Sequence, residues 1–287
     1  MLKMSHSTDS ASPARSVLQL LKQPLLALAL VAPLMGTANA STETWTEVRK
    51  AGELRCGSAV SAPVVMRDLR TGEYSGPFAA LCKKFGEEVL KVKVTFVDAT
   101  WDTLVAGLQT GKWHMALALN RTAEREKSVG FTAPLIYSTT NFVFNPSNPK
   151  IPKGASTIAD LDQPNVTVAV MQGTYMDRDV TKSFKKAKLV RLTDADATRL
   201  SFVSRRADVL ADTLEANAIF HAANPKTTTV MEAVPAFEML EMGFGVNKEI
   251  PAADLELLNA FIASEIASGD VKKNFDAAAL AAAQAAK

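Results

Sequence analysis

ALALNRTAEREKSVGF, residues 116–131, is an apolar run that stops abruptly in a polar turn. With the preceding residues it gives a buried strand from Trp113 to Leu119, which delivers Asn120, Arg121 and Thr122 at its carboxyl end. Thr122 is placed to cap a following helix, and Arg125 then falls at the third helical position. In open α/β sheets ligands bind beyond the carboxyl ends of the strands. Helix-terminal N–H groups, the positive end of the helix dipole and a guanidinium all reach that space, so it suits an anion. An arginine clamp on a carboxylate is charge-assisted and often bidentate. Locally, the same residues also fit a surface helix with a Thr cap, its Arg125 paired with Glu124 or Glu126.

Outward from this stretch, short apolar runs alternate with helical stripes, which predicts an α/β architecture of crossover units. Upstream lie a strand from Glu53 to Ser58, a turn or hairpin between Arg67 and Gly76, and a helix from Pro77 to Leu90. That helix carries apolar residues at 78, 81, 82, 85 and 89. A strand from Val92 to Val97 follows, then a helix capped by Thr100, with Leu104, Val105 and Leu108 inward and Gly111 as its stop. Downstream of a strand from Asn141 to Phe144, a Pro-rich loop opens a second series. Its expected elements are a strand from Val166 to Met171, a helix to about Lys186, a strand from Leu189 to Leu192 and a helix near 194–206. A strand from Asp208 to Asp212 and a helix from Leu214 to Ala223 complete it. Pro235 to Val246 returns the chain to the first unit, and a helix from Ala252 to Ala267 and an Ala-rich tail end it. No short fixed repeat is present, which excludes solenoids and propellers. The expected organisation is a leader over 1–40, a first lobe over 41–138, a second lobe over 139–240, and a return to the first over 241–287.

Two further stretches carry chemistry. In VTVAVMQGTY, Val166 to Tyr175, a buried strand turns through a glycine into a helix whose first amides face the same kind of anion. In ADVLADT, Asp212 ends a strand, where it either meets a ligand ammonium or caps a helix. Together the three stretches describe a small ligand, negative at one end and positive at the other: an α-amino acid or a close mimic.

The first forty residues read as an export signal. Arg15 and Lys22 precede the apolar run Leu25 to Met35, and Ala38-Asn39-Ala40 forms a small-residue cleavage site. That run is too short for a bilayer, which needs roughly 20 residues. Lys3, Arg15 and Lys22 against Asp9 account for the chain's basic surplus, so the rest carries 29 basic and 29 acidic residues. That balance argues against a nucleic-acid partner. Cys56 and Cys82 either pair in an oxidising compartment or stay as buried thiols. Only His114 and His221 follow the leader, with no ligand-like spacing, so no metal, cofactor or catalytic nucleophile is expected. His114 reads as a strand-end residue.

The chain resembles the periplasmic amino-acid-binding proteins of ABC transporters, extracellular solute-binding protein family 3. The likeness runs from Leu54-Arg55-Cys56-Gly57 through Trp101-Asp102-X-Leu104, Leu108-Gln109-X-Gly111-Lys112 and Thr122-X-X-Arg125 to Phe131 and Pro134. It continues in Val170-X-X-Gly173-Thr174 and Asp212. The resemblance implies a two-lobed periplasmic-binding-protein fold of type II with the ligand cleft between the lobes. It implies that Arg125 holds the ligand α-carboxylate with Thr174 and backbone amides near Asn120. Asp212 and a carbonyl near Ala118 would take the α-amino group, Trp101 would line the pocket, and Ser58 and Ser61 would contact or cover the ligand. Departures include Ser61-Ala62-Pro63-Val64, which lacks the usual aromatic, and Asn120 in place of Ser or Thr; Tyr175 is available to complete the wall. The implied role is the periplasmic, monomeric receptor that closes around an amino acid and delivers it to an inner-membrane ABC permease. Two alternatives stand beside it: a sensing module, and a cyclohexadienyl or arogenate dehydratase on the same fold. The dehydratase would require a second pocket carboxylate as general acid, and the sequence reading identifies none.

Overall fold

The alternating pattern folds into two sheets built on one plan. The computed structural model describes residues 45–285; the expected leader and its cleavage site lie outside the described residues. The chain opens with α1 (Trp45–Ala51), β1 (Glu53–Ser58), the hairpin β2 (Met66–Arg67) and β3 (Tyr74–Ser75), and α2 (Pro77–Lys84). Next come β4 (Lys93–Asp98), α3 (Leu104–Gln109), β5 (Met115–Asn120), α4 (Ala123–Glu126), β6 (Val129–Phe131) and β7 (Ile136–Ser138). The second series holds β8 (Thr140–Phe144), α5 (Ile158–Leu161), β9 (Thr167–Met171), α6 (Tyr175–Ser183) and β10 (Lys188–Leu192). It ends with α7 (Ala195–Val203), β11 (Val209–Thr213), α8 (Leu214–Ala223) and β12 (Thr229–Glu232), before β13 (Leu240–Asn247), α9 (Ala252–Ala267) and α10 (Asp270–Ala285).

The first sheet has the order β4-β1-β5-β13-β6, with β7 also on β13, and the second has the order β10-β9-β11-β8-β12. In each, three parallel strands meet one antiparallel strand that arrives from the other lobe: β13 beside β5, and β8 beside β11. Parallel strands need helical crossovers on both faces, and the all-buried β5 reflects that cover. The helices that follow β5, β9 and β11 begin at Thr122, Thr174 and Thr213, whose hydroxyls each accept the N–H three residues on. These caps aim three helix starts at the carboxyl edges of the two sheets.

The structure modifies three expectations. The helix from Pro77 to Leu90 is α-helical only to Lys84 and continues as a π-helix from Phe85 to Leu90. Gly86 lies flush on Val94 and Leu54, and the wider turn buries Leu90 where 3.6-residue periodicity would bury Val89. Thr103, not Thr100, is the N-cap of α3, and the Thr100 carbonyl accepts the N–H groups of Thr103 and Leu104. The edge strand β12 and the short helices α1 and α5 had no counterpart in the sequence reading. Cys56 and Cys82 are joined in a disulfide that ties β1 to α2. Among the described residues no helix is long and apolar enough to cross a membrane.

Each lobe has its own core, one around Trp45, Phe78, Phe85, Trp113 and Phe244, the other around Phe142 and Phe184. The Trp113 indole is fully buried, donates to the Leu104 carbonyl at 3.1 Å, and lies between Gly57 of β1 and Gly107 of α3. A Cβ on either glycine would overlap the ring. Gly107→Ala, although it should favour the helix by about 1 kcal/mol, is therefore expected to lower net stability by about 1–3 kcal/mol through overpacking. Urea unfolding of the two proteins checks this, and an unchanged midpoint would mean the ring can move aside.

Candidate functional site

The cleft between the two sheets encloses about 470 Å³ of space free of protein atoms, part of it open to solvent. Arg125 occupies its floor. The one-turn helix α4 starts at Thr122, whose Oγ1 accepts the Arg125 N–H at 3.3 Å, and this turns the side chain inward so that only 5% of the residue is exposed. Nη1 donates to the Asn120 carbonyl at 3.0 Å and Nη2 to the Gly173 carbonyl of the second lobe at 3.4 Å. Among the described residues no carboxylate lies in ion-pair distance of it; neighbouring Glu124 faces Arg178 at 3.8 Å instead, and Glu126 faces Arg121 at 3.7 Å. Burial, and then the Arg178 cation, pull its pKa from 12.5 down to about 9, which leaves it charged at neutral pH. The surface-helix reading of this arginine does not describe the fold.

Around that cation the cleft presents donors. Trp101 Nε1 and Asn120 Nδ2 are buried and find no acceptor among the described residues. Thr174 caps α6, donates to the Met171 carbonyl at 2.7 Å and lines the cleft, as do Ser61 and Tyr175. The Tyr175 hydroxyl meets Ser138 Oγ at 2.7 Å, and burial pushes its pKa up. Gly173, at φ 74, lets the β9–α6 turn approach Asp102 of the first lobe closely; a Cβ there would lie 2.8 Å from the Asp102 nitrogen.

Four of the expected site residues do not line the cleft. Ser58 donates to the carbonyl of Cys56 in its own strand, and Thr122 acts as the cap of α4. Ala118 is fully buried in β5, with φ 53, opposite the register shift of β13 between Gly243 and Gly245. Asp212 is buried at the end of β11, where it accepts the Thr213 N–H at 2.8 Å and faces Arg199 at 3.8 Å. Desolvation pushes its carboxyl above the usual range, against the pull of Arg199 and the Thr213 N–H.

The matching half of the picture came from residues the sequence reading passed over. Glu215, exposed in the first turn of α8, lines the cleft and brings a carboxylate to it. Ile136, Ser138, Met171, Met176 and Met242 line it too. Position offered the missing signal: Met171 ends a strand, and Met176 and Glu215 sit in the first turns of helices that follow strands. Among the described residues no group of three or more His, Cys, Asp or Glu gathers as metal ligands would.

The sequence pattern of the bacterial extracellular solute-binding proteins, family 3, matches residues 54–277. The chain belongs to that family. Among family 3 relatives, a probable histidine-binding protein of Campylobacter jejuni is 25% identical over 57% of this chain and 62% of its own length. A glutamate/glutamine/aspartate/asparagine-binding protein of Rhodobacter capsulatus is 30% identical over 55% of this chain and 46% of its own. The chain thus spans less than two thirds of either curated relative. Two solved structures share the two-lobed fold more completely. The ancestral amino acid-binding protein AncCDT-1, described as a precursor of cyclohexadienyl dehydratase, superimposes with a TM-score of 0.71 at 28% identity, covering 81% of this chain and 97% of its own. A mutant of an arginine-binding protein from T. maritima gives 0.71 at 27%, with the same coverage.

An uncompensated buried cation opposes folding, and replacing such a group by an apolar one of similar volume commonly stabilises. Arg125→Met is expected to raise the stability of the ligand-free protein by about 1–3 kcal/mol at pH 7. Urea denaturation measures this; a fall would mean that the two carbonyl hydrogen bonds outweigh the desolvation of the charge.

Proposed function

We propose that this family 3 protein is the periplasmic amino-acid receptor of an ABC transporter. The observation that carries the reading is Arg125: a buried guanidinium between two lobes, hydrogen-bonded to one carbonyl from each and, among the described residues, with no carboxylate within ion-pair distance. In this reading the ligand α-carboxylate completes the arginine, with the Trp101 and Asn120 N–H groups as further donors and Thr174 lining the same end of the cleft. Lobe one comprises residues 41–138 and 241–287 and lobe two residues 139–240. The lobes rotate about the two connections between sheets, at Thr139 and within 233–239, and the closed form meets an inner-membrane permease. Export through cleavage after Ala40 and action as a monomer belong to the same proposal. The names of the relatives, which describe binding of histidine, of acidic amino acids and their amides, and of arginine, support amino acids as the ligand class.

A second reading is favoured by Glu215. A dehydratase of cyclohexadienyl substrates needs a carboxylic acid beside the leaving group, and Glu215 supplies a carboxylate in the cleft. The likeness to a dehydratase precursor supports it. Incubating the protein with arogenate or prephenate and following loss of the substrate separates the readings: turnover that Glu215→Gln abolishes would make the protein an enzyme.

Thermal-shift and calorimetric titration against the amino acids test the receptor. A bound amino acid at about 100 times its Kd should stabilise the fold by about 2.7 kcal/mol. Arg125→Ala should weaken it by about 2–5 kcal/mol, the loss expected when one partner of a desolvated charge pair is removed. Unchanged affinity in that variant would remove the basis of the proposal.

A further inference from the structure

A second recess opens at the end of the second lobe away from the cleft. It encloses about 1240 Å³ of space free of protein atoms, part of it open to solvent. Strand β11 separates the two spaces: Ala207 and Asp208, just before it, line the recess, whereas Thr213 at its other end lines the cleft. Its five residues span about 17 Å. The floor of the recess is aromatic. Phe202 and Phe220 meet edge to face with ring centroids 5.7 Å apart, over a small apolar cluster with Val143, Leu210 and Val230. Val203, 60% exposed, adds an apolar edge.

The polar side of the recess is self-contained except at one residue. Asp208 accepts from Lys150 Nζ, Asn148 Nδ2 and the Thr167 N–H, each at 2.9 Å, so its charge is engaged within the protein. Asn224 donates to the Phe220 carbonyl at 2.9 Å, and Thr228 to the Asn224 carbonyl at 2.7 Å. Arg205 also lines the recess, is exposed, and among the described residues has no carboxylate in ion-pair distance. Its backbone is left-handed, at φ 59, in the turn that ends α7. There the Arg205 N–H donates to the Phe202 carbonyl and the Arg206 N–H to the Ser201 carbonyl, both at 2.9 Å. Glycine fills that position of a helix end at least cost, so an arginine there lowers stability.

We infer that this recess binds a small amphipathic carboxylate, its aromatic body on Phe202, Phe220 and Val203 and its anionic end at Arg205. No residue lines both the recess and the cleft, so the inference stands apart from the receptor reading. Burial of the apolar body supplies most of the affinity. Arg205 is exposed to solvent, and an exposed charge pair adds only a few fold while fixing which end of the ligand faces it. A cationic ligand would meet two cations, Arg205 and Lys150, and a carboxylate already engaged three times. A small hydrophilic acid would leave the aromatic floor uncovered.

Titration of naphthylacetate into the isotope-labelled protein, followed by amide NMR, tests the inference. Saturable shifts are expected to cluster at residues 145–150, 202–208 and 224–228, with a Kd of about 1 mM or tighter. Naphthylacetamide keeps the rings and lacks the charge, and should bind about twofold to fivefold more weakly. Acetate should give no saturable shift at those residues. Arg205→Gly should weaken naphthylacetate to the level of the amide while its melting temperature equals or exceeds the parent's, because the left-handed turn is relieved. The amide comparison needs no variant, so it decides even if Arg205→Gly folds poorly. Absence of shifts at the recess, shifts confined to the surroundings of Arg125, or equal binding of acid and amide would each overturn the inference. Unchanged affinity in a folded Arg205→Gly protein would do the same.

Discussion

A guanidinium held out of water without a carboxylate is the constraint around which this protein is built. Carbonyl oxygens offset only part of the desolvation of Arg125, one from the end of the preceding strand β5 and one from across the cleft. Such a charge persists only if surrounding structure fixes it. The fully buried β5 ends at Asn120, the Thr122 cap turns the backbone, and α4 lasts a single turn before β6 begins. The backbone at Gly173 completes the enclosure from the second lobe. In the proposed receptor, stability forgone at this one side chain is what a negatively charged guest would recover.

The doubled architecture makes that recovery cooperative between lobes. Each sheet receives a strand from the chain's passage out of the other, so the lobes are joined by short connections that run from a peripheral strand, β7 or β12, to an interior one, β8 or β13. The polar contacts between them include Gly173 against Asp102, the Gly173 carbonyl on Arg125, and Glu124 facing Arg178, while Met171 and Ala195 join the first lobe's apolar cluster. The last helix adds a further restraint. Helix α10 packs on α2 and α9 of the first lobe and also on α8 of the second, with Ala278 and Ala282 buried. The small side chains of its Ala-rich face allow close approach, so separating the lobes must either slide this contact or carry the helix along.

Much of this was legible in the sequence because it rests on local rules. Strand β1 and helices α8 and α9 fall where period and caps put them, since apolar stripes and Thr or Gly boundaries are local properties. The inward Arg125 was legible through its position after a buried strand, although its neighbours Glu124 and Glu126 equally allowed a surface pair. What escaped depends on tertiary context. The π-helical turn at Phe85 arises because Gly86 sits on Val94, a contact about eight residues away in the chain that no helical period encodes. The approach of Asp212 to Arg199 at 3.8 Å and the place of Glu215 at the cleft depend on how α7 and α8 pack on the second sheet. Residues of apolar or charged type at such positions look like core or surface until the sheet edge is known.

In the proposed receptor, the buried donors tie closure to recognition. Trp101 Nε1 and Asn120 Nδ2 have already lost water in the folded protein and have no acceptor there. A hydrogen bond to such a group is worth more than an ordinary exchange with solvent, because its desolvation is borne before the guest binds. A ligand can shift a conformational equilibrium only by the difference in its affinity for the two states. In the proposed receptor that difference would be large only for a guest that brings acceptors to Arg125 and to the Trp101 and Asn120 N–H groups, because the Arg125 guanidinium draws its carbonyl partners from both lobes.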